Sequence, residues 1–515
     1  MRKARLILAG AYDTRGADVA ANIARDRRYI NYIRRLSADG GTGHSKLALE
    51  KRPGWSTTGT ALTGTNAARP YGHAILRNSR HIGLGYVFAN QNIFTNATVI
   101  EPVYGTTSLG TITPTHASFG VQQTEAQTSS GYYHLLSVNC LNGSTLASEA
   151  HFYQVTSATA TGSLTKITDA DLPATGIGPM TQKWGYAFWH DQSGNVSNSD
   201  LNDFTAWTAG SYFACNAVPD QGRGVWSHGD DLLAAFGANH IELLYNAGLT
   251  DLSPLKRVAG GVIEIGLVSA VSICDTGAGL AFLGKDRKSG AIGVFLLSGT
   301  SVQKISNATV DQYIATFING PGTGHNTRFS AFNVLSEPTL MIQSSTDNGT
   351  TILMLACRLS DQFWYEWRTS ATNPVNPLGV SLASGGFQTV CISGTNSTRY
   401  VYTMDDTTPA YTDGGNAFTA TLQTGRTDFG SSSDKTLNWL ELIGDTSGSG
   451  DEHVISLSTT DASSFTQIGV IDMSTRFRRL SSLGSFDDLS IKIEHSTATA
   501  SRIEAIDVGI SEWAH

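Results

Sequence analysis

Residues 232–245 read Leu-Leu-Ala-Ala-Phe-Gly-Ala-Asn-His-Ile-Glu-Leu-Leu-Tyr: two apolar runs separated by a Gly237-Ala238-Asn239 turn. Each run is too short for a stable isolated helix, and the turn chemistry between them is that of an antiparallel hairpin. The same grammar recurs on both sides. It appears at Gly83–Phe94, at Tyr132–Cys140 with Asn142-Gly143, and at Trp184–Trp189 before Asp191-Gln192-Ser193-Gly194. It continues at Gly279–Leu297 around Lys285–Gly290, at Leu340–Leu355 around Asp347-Asn348-Gly349, and from Cys391 to Tyr402. With the unit at Trp226, the starts fall near 83, 132, 184, 226, 279, 339 and 391. A repeat of roughly 40 to 60 residues suits propeller blades, because a lone four-stranded sheet cannot cover both faces and must stack radially on its neighbours. The reading is therefore all-β and β-propeller-like; a pair of β-sandwiches is the competing architecture.

The composition agrees. Only 15% of the 515 residues are charged, whereas exposed helix faces are normally filled with Glu, Lys and Arg. Residues 56–420 are assigned to the propeller, with a Ser/Thr-rich stretch near 105–180 read as long loops or an insertion. From 421 to 515 the chain reads as an additional C-terminal β module, either closing blades or a small sandwich. There Val454–Ser458, Leu489–Glu494 and Ile506–Ile510 alternate apolar with polar residues. Residues 1–55 read as a short, mostly irregular segment with a short helix over Gly16–Ala24; a further helical turn or two is expected at Val310–Phe317.

Charge is unevenly spread. Residues 1–55 carry twelve Lys or Arg against five acids, a net of +7, which leaves −15 on the remainder of a chain whose total is −8. One reading is arginines paired with the acidic body. The other is a docking segment for a negatively charged neighbour, with Arg27, Arg28, Arg34, Arg35, Lys51 and Arg52 as its candidate contacts. The five cysteines are widely spaced without a CxxC pair, as expected of reduced thiols in a cytoplasm. No stretch approaches the ~20 apolar residues of a membrane span.

Motifs for catalysis are missing from the sequence. There is no G-x-S-x-G, H-E-x-x-H or G-x-G-x-x-G, and Gly40–Lys46 lacks the Gly-Lys-Ser/Thr order of a phosphate loop. Neither metal nor cofactor is expected, since the thirteen histidines are scattered. Ser345–Gly349 resembles the Asp-box turn of sialidase-like propellers, with Ile352 at the aromatic position, and such a turn reports hairpin geometry. Trp184, Tyr186 and Trp189, with Trp364 and Trp367, are candidate platforms for stacking on sugars. Phe477 between Arg476, Arg478 and Arg479 is compatible with nucleic-acid stacking, or with outward charges around an inward cap.

Several segments in order resemble the tail hub, or nozzle, proteins of short-tailed bacteriophages, the packaged-DNA stabilisation group. They are Arg27-Arg28-Tyr29-Ile30-Asn31, Lys51-Arg52-Pro53-Gly54-Trp55, Gly224-Val225-Trp226 before Asp230-Asp231, Ala281–Asp286, Phe363–Trp367 and Arg476–Leu480. The resemblance implies a non-enzymatic virion structural protein that forms a homohexameric ring below the portal and adaptor. That ring would retain packaged DNA, conduct it during ejection, and have tail fibres or tailspikes as further neighbours. An acidic wall would let the duplex slide, since contacts that release counterions hold it. The protein would then sit in the virion tail after assembly in the host cytoplasm. The alternative is a tail-associated receptor- or glycan-binding propeller using Trp184, Tyr186 and Trp189.

Overall fold

The structure is a computed structural model. It describes residues 2–6, 8, 27–36, 47–62, 70–76, 84–89, 92–96, 104–111, 118–128, 131–142, 145–155, 164–249, 252–318, 327–345, 351–369, 378–382, 388–395, 398–405, 408–445, 450–460, 462 and 464–513. The Gly16–Ala24 helix, the Gly40–Lys46 turn and the Asp-box turn after Ser345 fall outside these residues.

The short apolar runs do pair as hairpins, and each hairpin gains an inner and an outer strand. The first sheet is Pro70–Leu76, Leu84–Ala89, Asn92–Asn96 and Tyr104–Thr111; the second is Ser118–Thr128, Gly131–Asn142, Thr145–Val155 and Leu164–Lys166. The third is Gly176–Lys183, Tyr186–Asp191, Asn195–Asp200 and Asp203–Ala214; the fourth is Gly222–His228, Leu232–Gly237, Ile241–Asn246 and Leu255–Ile263. The fifth runs from Ile265–Leu267 through Leu280–Asp286 and Ile292–Ser298 to Ser301–Lys304, with Ile273–Asp275 as an extra strand. The sixth is Thr327–Val334, Glu337–Ser345, Thr351–Arg358 and Phe363–Glu366.

The seventh sheet has only three consecutive strands, Leu378–Leu382, Gln388–Thr395 and Thr398–Asp405. Its fourth is Ser56–Leu62, from far earlier in the chain. Neighbouring sheets touch in order, and Leu378–Leu382 of the seventh lies against Pro70–Leu76 of the first. The described residues thus form a seven-bladed propeller, shut by pairing its first strand into its last sheet. The stretch near 105–180, read as loops or an insertion, contains regular blade strands. Its Ser and Thr suit a pleated surface, but they hide the apolar alternation by which strands are recognised.

Beyond the propeller, two sheets pack as a sandwich. One is Tyr32–Leu36, Leu47–Lys51, Arg502–Glu512, Lys435–Gly444 and Arg479–Ser481, with Arg2–Leu6 beside Arg502–Glu512 and Ser485–Phe486 beside Lys435–Gly444. The other is Arg28–Ile30, Ala420–Gln423, Ser490–His495, Glu452–Ser458 and Thr466–Asp472, and it continues the sixth blade because Ile30 pairs in parallel with Glu366. The N-terminal segment, read as mostly irregular, therefore supplies four strands where it is described. These strands are three to five residues long, too short to show a period in sequence. One apolar cluster joins both regions, from Phe329, Leu340 and Leu355 through Trp55 and Trp367 to Ile455, Ile493 and Ile506.

The only helix among the described residues is Ala308–Ile318. Asn307 starts it by accepting a bond from the Val310 N–H, 2.9 Å, and Val310 and Ile314 face the core. The described cysteines Cys215, Cys274 and Cys357 are free, and burial raises the Cys357 thiol well above its ordinary value. The side chains of Cys140 and Cys391 fall outside the described residues.

The fourth blade carries a buried ionic network. His240 Nδ1 lies 2.9 Å from Asp220 and its Nε2 lies 3.2 Å from Glu242, while Arg257 Nε meets Glu242 at 2.5 Å. Burial opposes the imidazolium charge, but the two carboxylates prevail and lift His240 from 6.5 to about 9. The folded chain then keeps a proton that the unfolded chain releases, so stability declines as pH rises from 6.5 through about 9. His240→Gln should flatten that part of the pH profile of the melting temperature. A slope identical to that of the parent protein would show that His240 is not the group responsible.

Candidate functional site

The Lys51-Arg52-Pro53-Gly54-Trp55 segment lies where the propeller meets the sandwich. Asn31, with φ of 58°, turns the chain sharply between Arg28–Ile30 and Tyr32–Leu36, so that consecutive strands enter different sheets. Asparagine tolerates this left-handed conformation better than most residues. Its amide is used on both sides: Nδ2 donates to Thr419 O at 2.7 Å, and Oδ1 accepts from Arg52 Nε at 2.9 Å and from the Arg368 N–H at 2.8 Å.

Arg52 is fully buried and bonded at every nitrogen. Nη1 donates to Pro53 O at 2.8 Å and Asp413 Oδ1 at 3.1 Å; Nη2 donates to Arg368 O at 2.8 Å and Asp413 Oδ2 at 2.6 Å. The guanidinium is stacked between Phe418 and Trp367, 3.8 and 4.4 Å from the ring centres. Gly54 is required by space, since a Cβ there would collide with the Thr412 backbone. Trp55 is buried against Phe332 and Trp367, and its backbone N–H donates to Asp413 Oδ1 at 3.1 Å.

This arrangement changes the reading of the basic segment. Lys51 and Arg52, named as docking residues, are 1% and 0% exposed and serve the interior. Lys51 Nζ donates to Thr497 O at 2.6 Å and lies 4.6 Å from the Phe418 ring centre; burial, aided by Arg52, lowers it to about 7. Arg28 bonds to Glu366 Oε1 at 3.0 and 2.5 Å, and Arg35 to Glu50 at 3.0 Å. Arg34 and Arg358 share Asp361; burial would raise that carboxyl, but the two guanidiniums hold it below the usual range. Arg27 is half-buried. Apart from Arg27, these cations are engaged within the same chain: Arg28, Arg34 and Arg52 with carboxylates of the body, Lys51 with a carbonyl of the body, and Arg35 with Glu50 of the N-terminal segment itself.

The sugar-stacking reading also loses its residues. Trp189 is fully buried over Gly176, and its Nε1 donates to Gly178 O at 3.1 Å. Trp184 and Tyr186 are half-buried, packed around Phe188 between the third and fourth blades. Trp364 and Trp367 are buried in the main core. Aromatic residues were equally compatible with a core and a platform in sequence, and only the sheet register separates the two.

The exposed features lie elsewhere. Phe477 is 89% exposed in the turn before Arg479–Ser481, beside the exposed Arg476. Arg478 Nη1 donates to Gly444 O at 2.6 Å, and Arg479 pairs with Glu441 at 2.7 Å while lying 4.2 Å from the Trp439 ring centre. This basic, aromatic tip stands at the Gly444 end of the Lys435–Gly444 strand. At the other end Asp487 is hydrogen-bonded to Asp434, which raises its carboxyl above the usual range. A ten-residue strand puts the two tips roughly 30 Å apart. Phe477 had been noted in sequence; the acidic end had not, because Asp434 and Asp487 meet only through pairing of Lys435 with Phe486.

Residues 133–323 match the model of the phage-stabilisation family, described as bacteriophage P22 Gp10, beta-propeller. The matched span runs from the second blade through the fifth and includes the helix. Over that span the chain is similar to a bacteriophage family described as a β-propeller, in agreement with the all-β, bladed fold. No curated protein matches the chain. Among solved structures, one titled Crystal Structure of Mitotic Checkpoint Complex aligns with TM-score 0.32 and 11% identity, over 66% of this chain and 95% of that chain. The computationally designed Ika8 protein aligns with TM-score 0.32 and 10% identity, over 73% and 99%. Among the described residues, no helix is long and apolar enough to cross a membrane.

Two substitutions test the buried roles of Arg52 at the junction and of Trp189 in the third blade. Arg52→Met strands the buried Asp413 carboxylate and should cost about 3–5 kcal/mol in urea denaturation of the full chain. Trp189→Ala should likewise cost about 3–5 kcal/mol as a core truncation, with no associated glycan-binding phenotype.

Proposed function

We propose that this chain is a tail hub, or nozzle, protein: a homo-oligomeric ring below the portal and adaptor that retains packaged DNA and conducts it during ejection. The match of residues 133–323 to the DNA-stabilising phage family carries the reading. The charge distribution supports it, because the −15 of residues 56–515 offers a passing duplex little to grip. No catalytic step is assigned to the protein, and its place is the virion tail after assembly in the host.

The paired N-terminal arginines shift the proposed contact surface. A neighbour would meet the chain through the Arg476–Phe477 tip, and the Asp434–Asp487 end of the same sheet is its complement in charge. Two different, complementary surfaces on one molecule make a heterologous contact, which closes into a ring when the rotation permits. A hexamer is the ring size proposed, with the portal–adaptor complex on one face and fibres or tailspikes as further partners.

Electron microscopy of the purified protein, with and without a portal–adaptor complex, tests this. The expected particle is a six-fold ring with an opening about as wide as duplex DNA, ~20 Å. Arg476→Glu combined with Phe477→Ser should convert rings to monomers without lowering the melting temperature of the monomer. A parent protein that stays monomeric both alone and with the complex would sink the proposal.

A further inference from the structure

Asp451, His453 and His495 are buried at one end of two adjacent sandwich strands, and one ligand atom from each lies within 4.8 Å of the others. His453 and His495 are register partners on adjacent strands, and Asp451 stands just before the first of these strands. The Nε2 of His495 lies 2.8 Å from Asp451 Oδ1, 2.6 Å from Thr497 Oγ1 and 3.3 Å from Thr499 Oγ1. Three oxygens therefore converge on a ring nitrogen that has one proton to give. His453 Nδ1 faces the same carboxylate, 3.7 Å from Oδ1, and lies 3.3 Å from the Asp451 carbonyl oxygen.

From these contacts we infer that Asp451, His453 and His495 form a binding site for one divalent transition-metal ion of the zinc class. Two imidazoles and a carboxylate are the donor set that zinc prefers. With metal–ligand bonds of ~2.0–2.2 Å, tetrahedral ligand atoms stand about 3.3 Å apart, between the 2.8 and 3.7 Å separations found here. The Thr497 and Thr499 hydroxyls lie beside the same His495 nitrogen and are the nearest further oxygens. His453 Nε2 lies 2.8 Å from Ser501 Oγ, itself 3.0 Å from the Tyr32 hydroxyl, and this chain orients the ring so that Nδ1 is directed at the ion. Lys51 Nζ lies 3.4 Å from the other nitrogen of His495, behind the ligand atom, with its principal bond to Thr497 O.

The ion would tie two adjacent strands of one sheet and, through the residues that support its ligands, brace them against the other. Its ligands lie on the sheet that continues the sixth blade, and the residues supporting them, Tyr32, Ser501 and Lys51, come from or adjoin the strands of the other sheet. Lys51 precedes the buried Arg52 in sequence, so the metal would reinforce the junction between propeller and sandwich. This inference is independent of the tail reading, since it rests on side chains outside the matched span.

The test uses the full chain after treatment with a chelator. Titration with Co2+ should give one ion per chain with the visible absorption of a tetrahedral site, and Zn2+ should displace it and raise the melting temperature. Asp451→Asn and His495→Gln should abolish the cobalt spectrum. Ser501→Ala, which keeps every ligand, should weaken binding roughly 10- to 100-fold, a readout that does not require a ligand variant to fold. Failure of the parent chain to bind Co2+ or Zn2+ stoichiometrically would overturn the assignment, as would a folded Asp451→Asn protein with an unchanged spectrum.

Discussion

The Arg52 guanidinium spends all its hydrogen-bonding capacity inside the protein, on Asn31, Pro53, Arg368 and Asp413, while two aromatic faces cover it. Burying a charge is costly unless its partners are complete, and here they come from four separated parts of the chain. The N-terminal strands, the end of the sixth blade and the segment after the seventh must all be in place before the charge is satisfied. The Lys-Arg-Pro-Gly-Trp segment thus has a structural meaning. Arg52 links the parts, Gly54 lets the backbone pass Thr412, and Trp55 seals the apolar side.

That junction determines how the molecule is organised. The propeller is closed by Ser56–Leu62, the strand immediately after the segment that carries Arg52. The sandwich is built from residues at both ends of the sequence, and one of its sheets is the sixth blade extended through Arg28–Ile30. Propeller and sandwich therefore share a sheet and a core, and a load applied to one is transmitted through backbone hydrogen bonds to the other. The two parts are not separated by a linker.

The exposed chemistry is correspondingly restricted. Most of the N-terminal cations are consumed within the chain, and the aromatic residues that resembled a sugar platform fill the spaces between blades. Among the outward-facing features of the sandwich are the Phe477 tip at one end of a strand and the paired Asp434 and Asp487 carboxyls at the other. The acidic end of this sheet is a property of strand pairing, since Asp434 and Asp487 are 53 positions apart.

By itself the sequence determined the all-β class and the repeat. Seven hairpins were readable because short apolar runs and Gly/Asn turns are local, and every one became the middle of a blade. The helix at Ala308–Ile318 was visible for the same reason. Tertiary structure alone decided the rest. Blade closure by Ser56–Leu62 joins residues more than 300 apart, and the sandwich strands of the N-terminal segment are too short to carry a period. Whether Arg52 or Trp189 faced a partner or the core was open in sequence, because the same side chain suits both until its neighbours are known. Asp451, His453 and His495 looked scattered for a related reason: 42 residues separate the two histidines, and only strand register brings their rings to 4.7 Å.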